Sequence, residues 1–442
     1  MTEEMVNQTN VFSELQQRVR GRVFDQSDAD FRALTQPWNL AVDQVPAVVV
    51  EAADTADVAA VVNYAAQSGY GVSAQPTGHG ATGTATGTIL LRTGKLDGIS
   101  IDAPNRRARI GAGVRSGDLQ AAAAAHGLTG LPGSSPVVTV TGVALGGGLS
   151  WFGRAHGWVA DSVVALEIVD AQGQLQSVTA DSDPELFWAL RGGGGDFGVV
   201  TSLELQLHDA GALYGGRILW AYEHAHAVLE VFRALTRQAP NELTLWLDLL
   251  RFPGGEPMVA IDLAYLGSED EARAGLEELS KLPQPISNSC RTMTVAELGS
   301  ITAEPTAPSA GLSRGELLTR LDDAAAAALL ADPISPLLGV QIRHLGGSFA
   351  APTDNPHGSL EEPYALYMLG LPITPEIARS VKAKQQELVD ALPVSGRKPF
   401  TYLNPSESVA SAVTPESLDR LRRIKAERDP RNVIRSNFPV GP

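Results

Sequence analysis

Apolar and polar positions along the chain fall into two regimes. Up to about residue 210, short β-branched runs alternate with helical spacing. Residues 47–51 read as a buried strand. Thr55 caps a helix with Val58, Val61, Val62 and Ala65 on one side, which ends near Gly69. Residues 72–75 form the next strand, so a β-α-β unit with a parallel pair is expected. Further strands are expected at 89–92, 99–102 and 107–114, the last two joined by the turn Pro104-Asn105. Ser116 caps an alanine-rich helix over 117–126, stopped by Gly127. A hairpin of 163–169 with 174–178 turns at Asp170-Ala171-Gln172-Gly173. Pro184 opens a helix that runs to Leu190, and a strand follows at 199–207. Upstream, Ser13-Glu14-Leu15-Gln16 has the form of a capping box, and with Gly21 as a stop it predicts a short N-terminal helix.

Beyond residue 210 the strands lengthen. Candidates are 213–220, 243–252, 258–266, 339–345 and 365–371, with helices at 225–237, 269–279, 317–330 and 375–392. Ser268 and Glu271 form a capping box for the second of these helices. Residues 302–313 read as an internal loop. Strand pairs joined by turns such as Pro253-Gly254-Gly255 predict an antiparallel sheet with helices on one face. A basic-faced helix over 414–428 precedes the tail.

Length and composition narrow the class. A chain of 442 residues with 44% hydrophobic and 19% charged residues is that of a globular enzyme of two or three domains. Its net charge of −16 disfavours polyanionic partners such as nucleic acid. The single cysteine, Cys290, excludes an intrachain disulfide and a thiolate metal site, so no metal is expected. The stretch 1–21 lacks an apolar core, and the run 137–151 is too short and glycine-rich to span a bilayer. Small-molecule partners and a cytoplasmic location are expected.

The candidate chemistry starts at Val72-Ser73-Ala74-Gln75-Pro76-Thr77-Gly78-His79-Gly80-Ala81-Thr82-Gly83, where a strand becomes a glycine-flanked histidine loop. Gly78, Gly80 and Gly83 satisfy G-x-G-x-x-G, yet a Rossmann loop must open a helix, and here a Thr- and Gly-rich stretch leads into another strand. Consecutive amides in such a turn can still hold an anion. His79 reads either as a locally bonded loop residue or as a ligand, an acid/base or an attachment point.

Four further stretches agree with a use for that loop. These are 133–148 (Gly133-Ser134-Ser135-Pro136-Val137-Val138-Thr139 onward to Gly146-Gly147-Gly148), 183–201, Tyr402-Leu403-Asn404 and Asp429-Pro430-Arg431-Asn432-Val433. Together with the His79 loop they resemble the berberine bridge enzyme-like oxidases of the vanillyl-alcohol oxidase superfamily, which bind FAD in a PCMH-type module. The resemblance covers 47–207 and the C-terminal tail; between them it rests on architecture.

The resemblance implies an α+β fold in parts. An FAD-binding module would span 1–210, with subdomains of about 1–103 and 104–210. A substrate module with an antiparallel sheet covered by helices would span 211–400, and 401–442 would return to the FAD module. It also implies that His79 is joined to the flavin 8α-methyl. Thr77 stands where the family's R-x-G-G-H loop has its first glycine, and Gly78, Gly80, Ala81 and Thr82 complete the loop. Ser135 falls where many members carry a second, cysteinyl tether, so a single bond, a more open site and a less oxidising flavin are expected. Thr139, Gly142, Gly146 and Gly147 would approach the cofactor, although the glycines also read as packing positions. Main-chain groups of Val200 would meet the adenine.

For catalysis the resemblance gives Tyr402 as the base and Asn404 at the isoalloxazine edge. An ordinary phenol, with a pKa near ~10, needs a cation or an acceptor beside it, and Arg343 and His344 are candidates. Tyr367 takes a catalytic polar position. Each also reads as an ordinary sheet residue. The implied activity is hydride transfer from an alcohol, amine or secondary-metabolite carbon to flavin N5 and then to O2, giving hydrogen peroxide. The alternatives are a dehydrogenase with another acceptor, or a non-redox flavin-binding or cyclase protein. Pro405-Ser406-Glu407 departs from the family pattern, which puts sugar substrates in doubt. A monomer or homodimer is expected.

Overall fold

A computed structural model describes residues 3–331 and 333–441, with side chains from Val11 onward. The first sheet contains β1 (Arg22–Phe24), β2 (Val48–Glu51), β3 (Val72–Ala74) and β4 (Ile89–Arg92) in the order β1-β2-β4-β3. The strands β2 and β3 run parallel as expected, but they are not neighbours: β4 lies between them and pairs parallel with both. The crossover helix Thr55–Ser68 is capped by Asp54, one residue earlier than expected, whose carboxylate accepts from Asp57 N. Its face of Val58, Val61, Val62 and Ala65 is fully buried. The N-terminal helix is Glu3–Arg18, so Ser13-Glu14-Leu15-Gln16 lies inside it and caps nothing. Burial of Val11 and Leu15, four residues apart on one face, carries the helix through the box pattern.

The second sheet contains β5 (Ile99–Asp102), β6 (Arg107–Gly111), β8 (Val163–Val169), β9 (Leu175–Thr179) and β10 (Val199–Gln206), antiparallel throughout in the order β5-β6-β10-β8-β9. A two-strand ribbon of β7 (Leu128–Thr129) and β11 (His208–Asp209) lies beside it. The alanine-rich helix is Ser116–Ala124, and Asp183 caps the helix Pro184–Leu190 through Leu186 N.

The third sheet is antiparallel and follows the order β15-β12-β14-β13-β18-β19-β17, with β16 also on β12. Its strands are β12 (Leu213–Ala221), β13 (Leu243–Leu250), β14 (Met258–Leu266), β15 (Ser287–Asn288), β16 (Arg291–Met293), β17 (Leu312–Leu318), β18 (Leu337–His344) and β19 (Tyr364–Gly370). The helix expected at 317–330 is in fact the end of β17 followed by a shorter helix, Asp323–Leu330, capped by Asp322. The apparent loop 302–313 ends inside the same strand. Alternation divides the sheet into two chemically distinct faces. One face packs Leu245, Leu247, Ile261, Leu263, Ile342, Leu366 and Met368 into a core shared with the helices Ala225–Thr236, Asp323–Leu330 and Pro375–Ala391. The other carries Arg217, Trp246, Asp248, Asp262, Gln341, Arg343 and Tyr367 in cross-strand register.

Two devices hold the sheets together. Buried Arg154 donates to the carbonyls of Leu243 (2.8 Å), Ala239 (2.9 Å), Pro240 (3.1 Å) and Leu345, stitching the segment after the second sheet's glycine run to the third sheet. The C-terminal tail returns to the first sheet, where Val72 N donates to Val433 O (2.7 Å) and Arg435 N to Val72 O (2.9 Å). Lys425 fixes that return by donating to Asp429 Oδ2 (2.8 Å), Ile434 O (2.6 Å) and Asp196 O (2.9 Å).

Candidate active site

The strand β3 delivers the chain into the loop 77–84, which then runs without a helix into β4. The amides of Gly78, His79, Gly80, Thr82 and Gly83 make no hydrogen bond with the described residues; only Ala81 N bonds back, to Gly78 O at 3.2 Å. Such a row of unspent donors suits an anionic ligand. His79 Nδ1 lies 2.8 Å from Thr77 Oγ1, whereas Nε2 is sealed from water and has no partner. Burial, with Arg115 nearby, depresses the imidazole to about 4, so the ring is neutral at physiological pH. The C-terminal tail forms the loop's other wall. Thr82 Oγ1 donates to Asn437 O (2.6 Å), Thr84 Oγ1 to Ser436 O (3.1 Å), and Gln75 Nε2 to Asn437 Oδ1 (3.0 Å).

The polar face of the third sheet holds one connected network. Arg217 grips Asp262 through Nε and Nη2, both at 2.6 Å, and reaches Asp248 at 3.5 Å. Asp248 Oδ1 accepts from Gln341 Nε2 (2.9 Å), and Gln341 Oε1 accepts from Arg343 Nε (2.5 Å). Burial, reinforced by the neighbouring Asp262, pushes the Asp248 carboxyl well above the usual carboxylate range. The Arg343 guanidinium lies over the Trp246 ring at 3.9 Å and the Tyr402 ring at 5.5 Å. It makes no ion pair among the described residues and is only 9% exposed.

Tyr402 therefore lies beside both Tyr367 and Arg343; the two tyrosine rings are 5.2 Å apart. Its position is set from below by Gly315 of β17, where a Cβ would come within 2.5 Å of Tyr402 Cβ. Beside it, buried Lys398 bonds Glu316 (2.8 Å) and Glu407, and Glu407 Oε2 accepts from Asn404 N (3.0 Å). The Tyr402 hydroxyl has no hydrogen-bond partner, and burial pushes it up to about 12 despite the opposing pull of Arg343. Burial raises Tyr367 as well. The expected lowering of the Tyr402 phenol is overturned, because desolvation outweighs the cation. His344 plays no part in it: one residue from Arg343, it points through the opposite face of β18 to Arg154 Nη1 (3.1 Å).

The remaining expected positions divide. Val199 and Val200 lie beyond the end of β6, whose pairing with β10 begins at Ser202, so one side of that strand is open there. Thr139 precedes the short helix Val140–Leu145, and Ser135 and Gly142 lie on either side of that entry. Gly146 and Gly147 are occupied by packing: their amides bond Val143 O (3.2 Å) and Ala144 O (3.1 Å). A Cβ on Gly147 would come within 2.5 Å of the buried His357 ring, and one on Gly146 within 3.0 Å of Thr401. Asn404 Oδ1 accepts from Ser406 N (2.9 Å) and Oγ (2.6 Å), which commits it to the following turn. The sequence reading missed Trp38, Asn437, Trp246 and the network of Arg217, Asp248, Asp262 and Gln341. A charged residue centred in an apolar run, as in Leu247-Asp248-Leu249 and Ile261-Asp262-Leu263, was the available signal for the network.

The loop's unspent amides and the unpartnered, neutral His79 Nε2 fit a phosphorylated cofactor attached or held at that ring. Among the described residues no cluster of His, Cys, Asp or Glu could hold a metal ion, and no helix is long and apolar enough to cross a membrane. Residues 46–179 match the FAD binding domain family. The chain is 31% identical to (R)-6-hydroxynicotine oxidase of Paenarthrobacter nicotinovorans, over 96% of this chain and 97% of that protein. The crystal structure of 6-hydroxy-D-nicotine oxidase from Arthrobacter nicotinovorans superposes with a TM-score of 0.82 at 26% identity, covering 96% of this chain and 98% of that one. A berberine bridge enzyme-like protein of Physcomitrella patens shares the fold, with a TM-score of 0.86 at 18% identity over 98% of this chain and 99% of that one.

Proposed function

The chain belongs to the berberine bridge enzyme-like FAD-linked oxidases, and from that premise we propose that it oxidises a small secondary or tertiary amine at the C–H bond beside nitrogen, with FAD held covalently by His79 alone. One observation supports the amine: the phenol expected to act as the base, Tyr402, is buried without a hydrogen-bond partner and pushed up to about 12. Arg217 holds Asp262, and Asp248 accepts from Gln341 on Oδ1 while its Oδ2 has no hydrogen bond. Tyr402, at about 12, is ionised at pH 7 to only roughly 10⁻⁵. An alcohol must lose its O–H proton as its C–H bond breaks and so needs a base. A neutral amine supplies its own lone pair and needs none. The unpaired Arg343 cation favours the neutral amine over the ammonium ion by charge repulsion. The relative named for 6-hydroxynicotine, itself an amine, points the same way.

Bound FAD supplies the two-electron acceptor for the substrate hydride and returns the electrons to O2 as hydrogen peroxide. The protein's share is binding and orientation. Trp246, Tyr367 and Tyr402 form aromatic walls, and Arg343 is held between Trp246 and Tyr402 by Gln341. Residues 1–210 with 401–442 serve as the cofactor module and 211–400 as the substrate module, a division supported by the membership of the three sheets. For the tether, the tautomer with Nδ1–H donating to Thr77 leaves the lone pair on Nε2, the nitrogen assigned to the bond. Thr77, Gly78, Gly80, Ala81 and Thr82 carry the phosphate side, and Val200 the adenine. Ser135 supplies no thiol, and Cys290 sits at the sheet edge against Gly216, so a second tether has no donor. The enzyme acts as a monomer or homodimer.

The test is aerobic peroxide release from a panel of N-methylated cyclic amines and their ring-matched alcohols. Peroxide from amines is expected. Turnover of the alcohols with none of the amines contradicts the proposal, and substrate-dependent flavin reduction without peroxide assigns a different electron acceptor.

A further inference from the structure

The Trp38 indole stacks on the His79 imidazole, with centroids 4.2 Å apart and planes inclined by 16°. The segment that carries it is fixed on both sides. Towards the first sheet, Arg92 donates to Leu34 O (2.6 Å), Gln36 O (2.9 Å) and Gln75 O (3.0 Å), and Gln44 Nε2 donates to Thr35 O (2.7 Å). Pro37 lies directly against Gly78, at φ +75, where a Cβ would meet Pro37 Cα at 3.0 Å. Towards the third sheet, Ser309 N donates to Trp38 O (3.2 Å) and Leu40 N to Ser309 O (3.1 Å). Asn39 exchanges two 3.0 Å bonds with the main chain of Gly311, just before β17. Trp38 is thus the middle of a strap that joins the loop bearing His79 to the sheet bearing the substrate face.

We propose that Trp38 is a positioning residue for cofactor attachment: the strap presses the indole on one face of the His79 ring while Thr77 engages Nδ1, so that Nε2 is the nitrogen presented for bond formation. This rests on the His79 tether proposed above. An imidazole free to turn about its side-chain torsions presents Nε2 in one of several directions. A ring clamped on its face and at Nδ1 has lost that freedom before the reaction begins, which is the source of the rate gain from orientation. The indole also keeps water from one side of the ring and favours its neutral, nucleophilic form. The step balances with O2 as oxidant. The Nε2–C8α bond forms, the imidazole gives up one proton and the methyl group one hydrogen, and O2 takes two electrons and two protons to become hydrogen peroxide.

The experiment follows covalent flavin over time in protein incubated with excess FAD under air, by in-gel flavin fluorescence after denaturation, alongside total bound flavin in the native state. Trp38→Ala is expected to slow covalent attachment at least tenfold with total flavin unchanged, and Trp38→Phe, which restores a stacking face, to return it to within threefold of wild type. Should Trp38→Ala fail to fold, Trp38→Leu takes its place with the same expectation. Attachment at the wild-type rate in the non-aromatic variant overturns the proposal. So does a parallel loss of total flavin, which would make Trp38 a binding residue. A wild-type protein that holds flavin but never covalently overturns the tether and this role together.

Discussion

At the scale of single residues, Tyr402 is a buried phenol with a cation beside it and no acceptor in reach. Such a group donates a hydrogen bond or supplies a wall; it does not take a proton at neutral pH. Tyr402→Phe is therefore expected to slow anaerobic flavin reduction by an amine less than about tenfold. A loss of roughly 10²–10⁴, the scale of a missing general base, would contradict that role. Gly315→Val tests how Tyr402 is placed, since the new side chain needs the space Tyr402 occupies. It is expected to lower stability by about 1–3 kcal/mol and to disturb the site's absorbance and activity together. Native activity in that variant would show that Tyr402 can be displaced without consequence. His79 and Tyr402 were legible as candidates because each belongs to a short motif, and Tyr367 and Arg343 only through the strand positions that the resemblance implied. Trp38 and Asn437 were not, because each meets the site through a long-range contact with no local pattern.

At the scale of elements, the junction around Arg154 carries more than its position after a glycine run suggests. One guanidinium serves carbonyls from Ala239, Pro240, Leu243 and Leu345 and touches His344. Arg154→Met leaves those acceptors buried without donors and is expected to cost at least about 3 kcal/mol, at ~1.5–3 kcal/mol for a hydrogen bond to a charged group. Urea unfolding measures it, and a change below about 1 kcal/mol would contradict the role assigned to the junction. The elements most legible in sequence were those with strong alternation or explicit caps, such as β8 with β9 and the Ser268–Glu271 box. The strand β17 was misread because Leu317-Leu318 continues into an alanine-rich run of helical spacing. Its strand character comes from pairing with β19, which no local signal carries. The insertion of β4 between β2 and β3 is likewise a tertiary choice.

At the scale of the whole molecule, burial of uncharged imidazoles sets the response to acid. Burial holds His208 and His357 at about 4 and His344 at about 3, the last with Arg154 adding to the effect. The unfolded chain takes up these protons near 6.5 and the folded chain does not, so protons favour unfolding. Stability is thus complete above about pH 6.5 and falls as pH drops towards 4. A urea midpoint that declines steadily from pH 7 to 4.5 is expected, and a flat profile would mean that these rings are protonated in the native state. The C-terminal tail walls the His79 loop, the segment around Asn39 ties the region to the third sheet, and the proposed function depends on a flavin being fixed at His79. The most direct measurement is acid precipitation of the aerobically purified protein followed by mass analysis of its tryptic peptides. A yellow pellet with the flavin mass on the peptide containing His79 is expected; a colourless pellet with all the flavin in the supernatant would contradict the tether at His79.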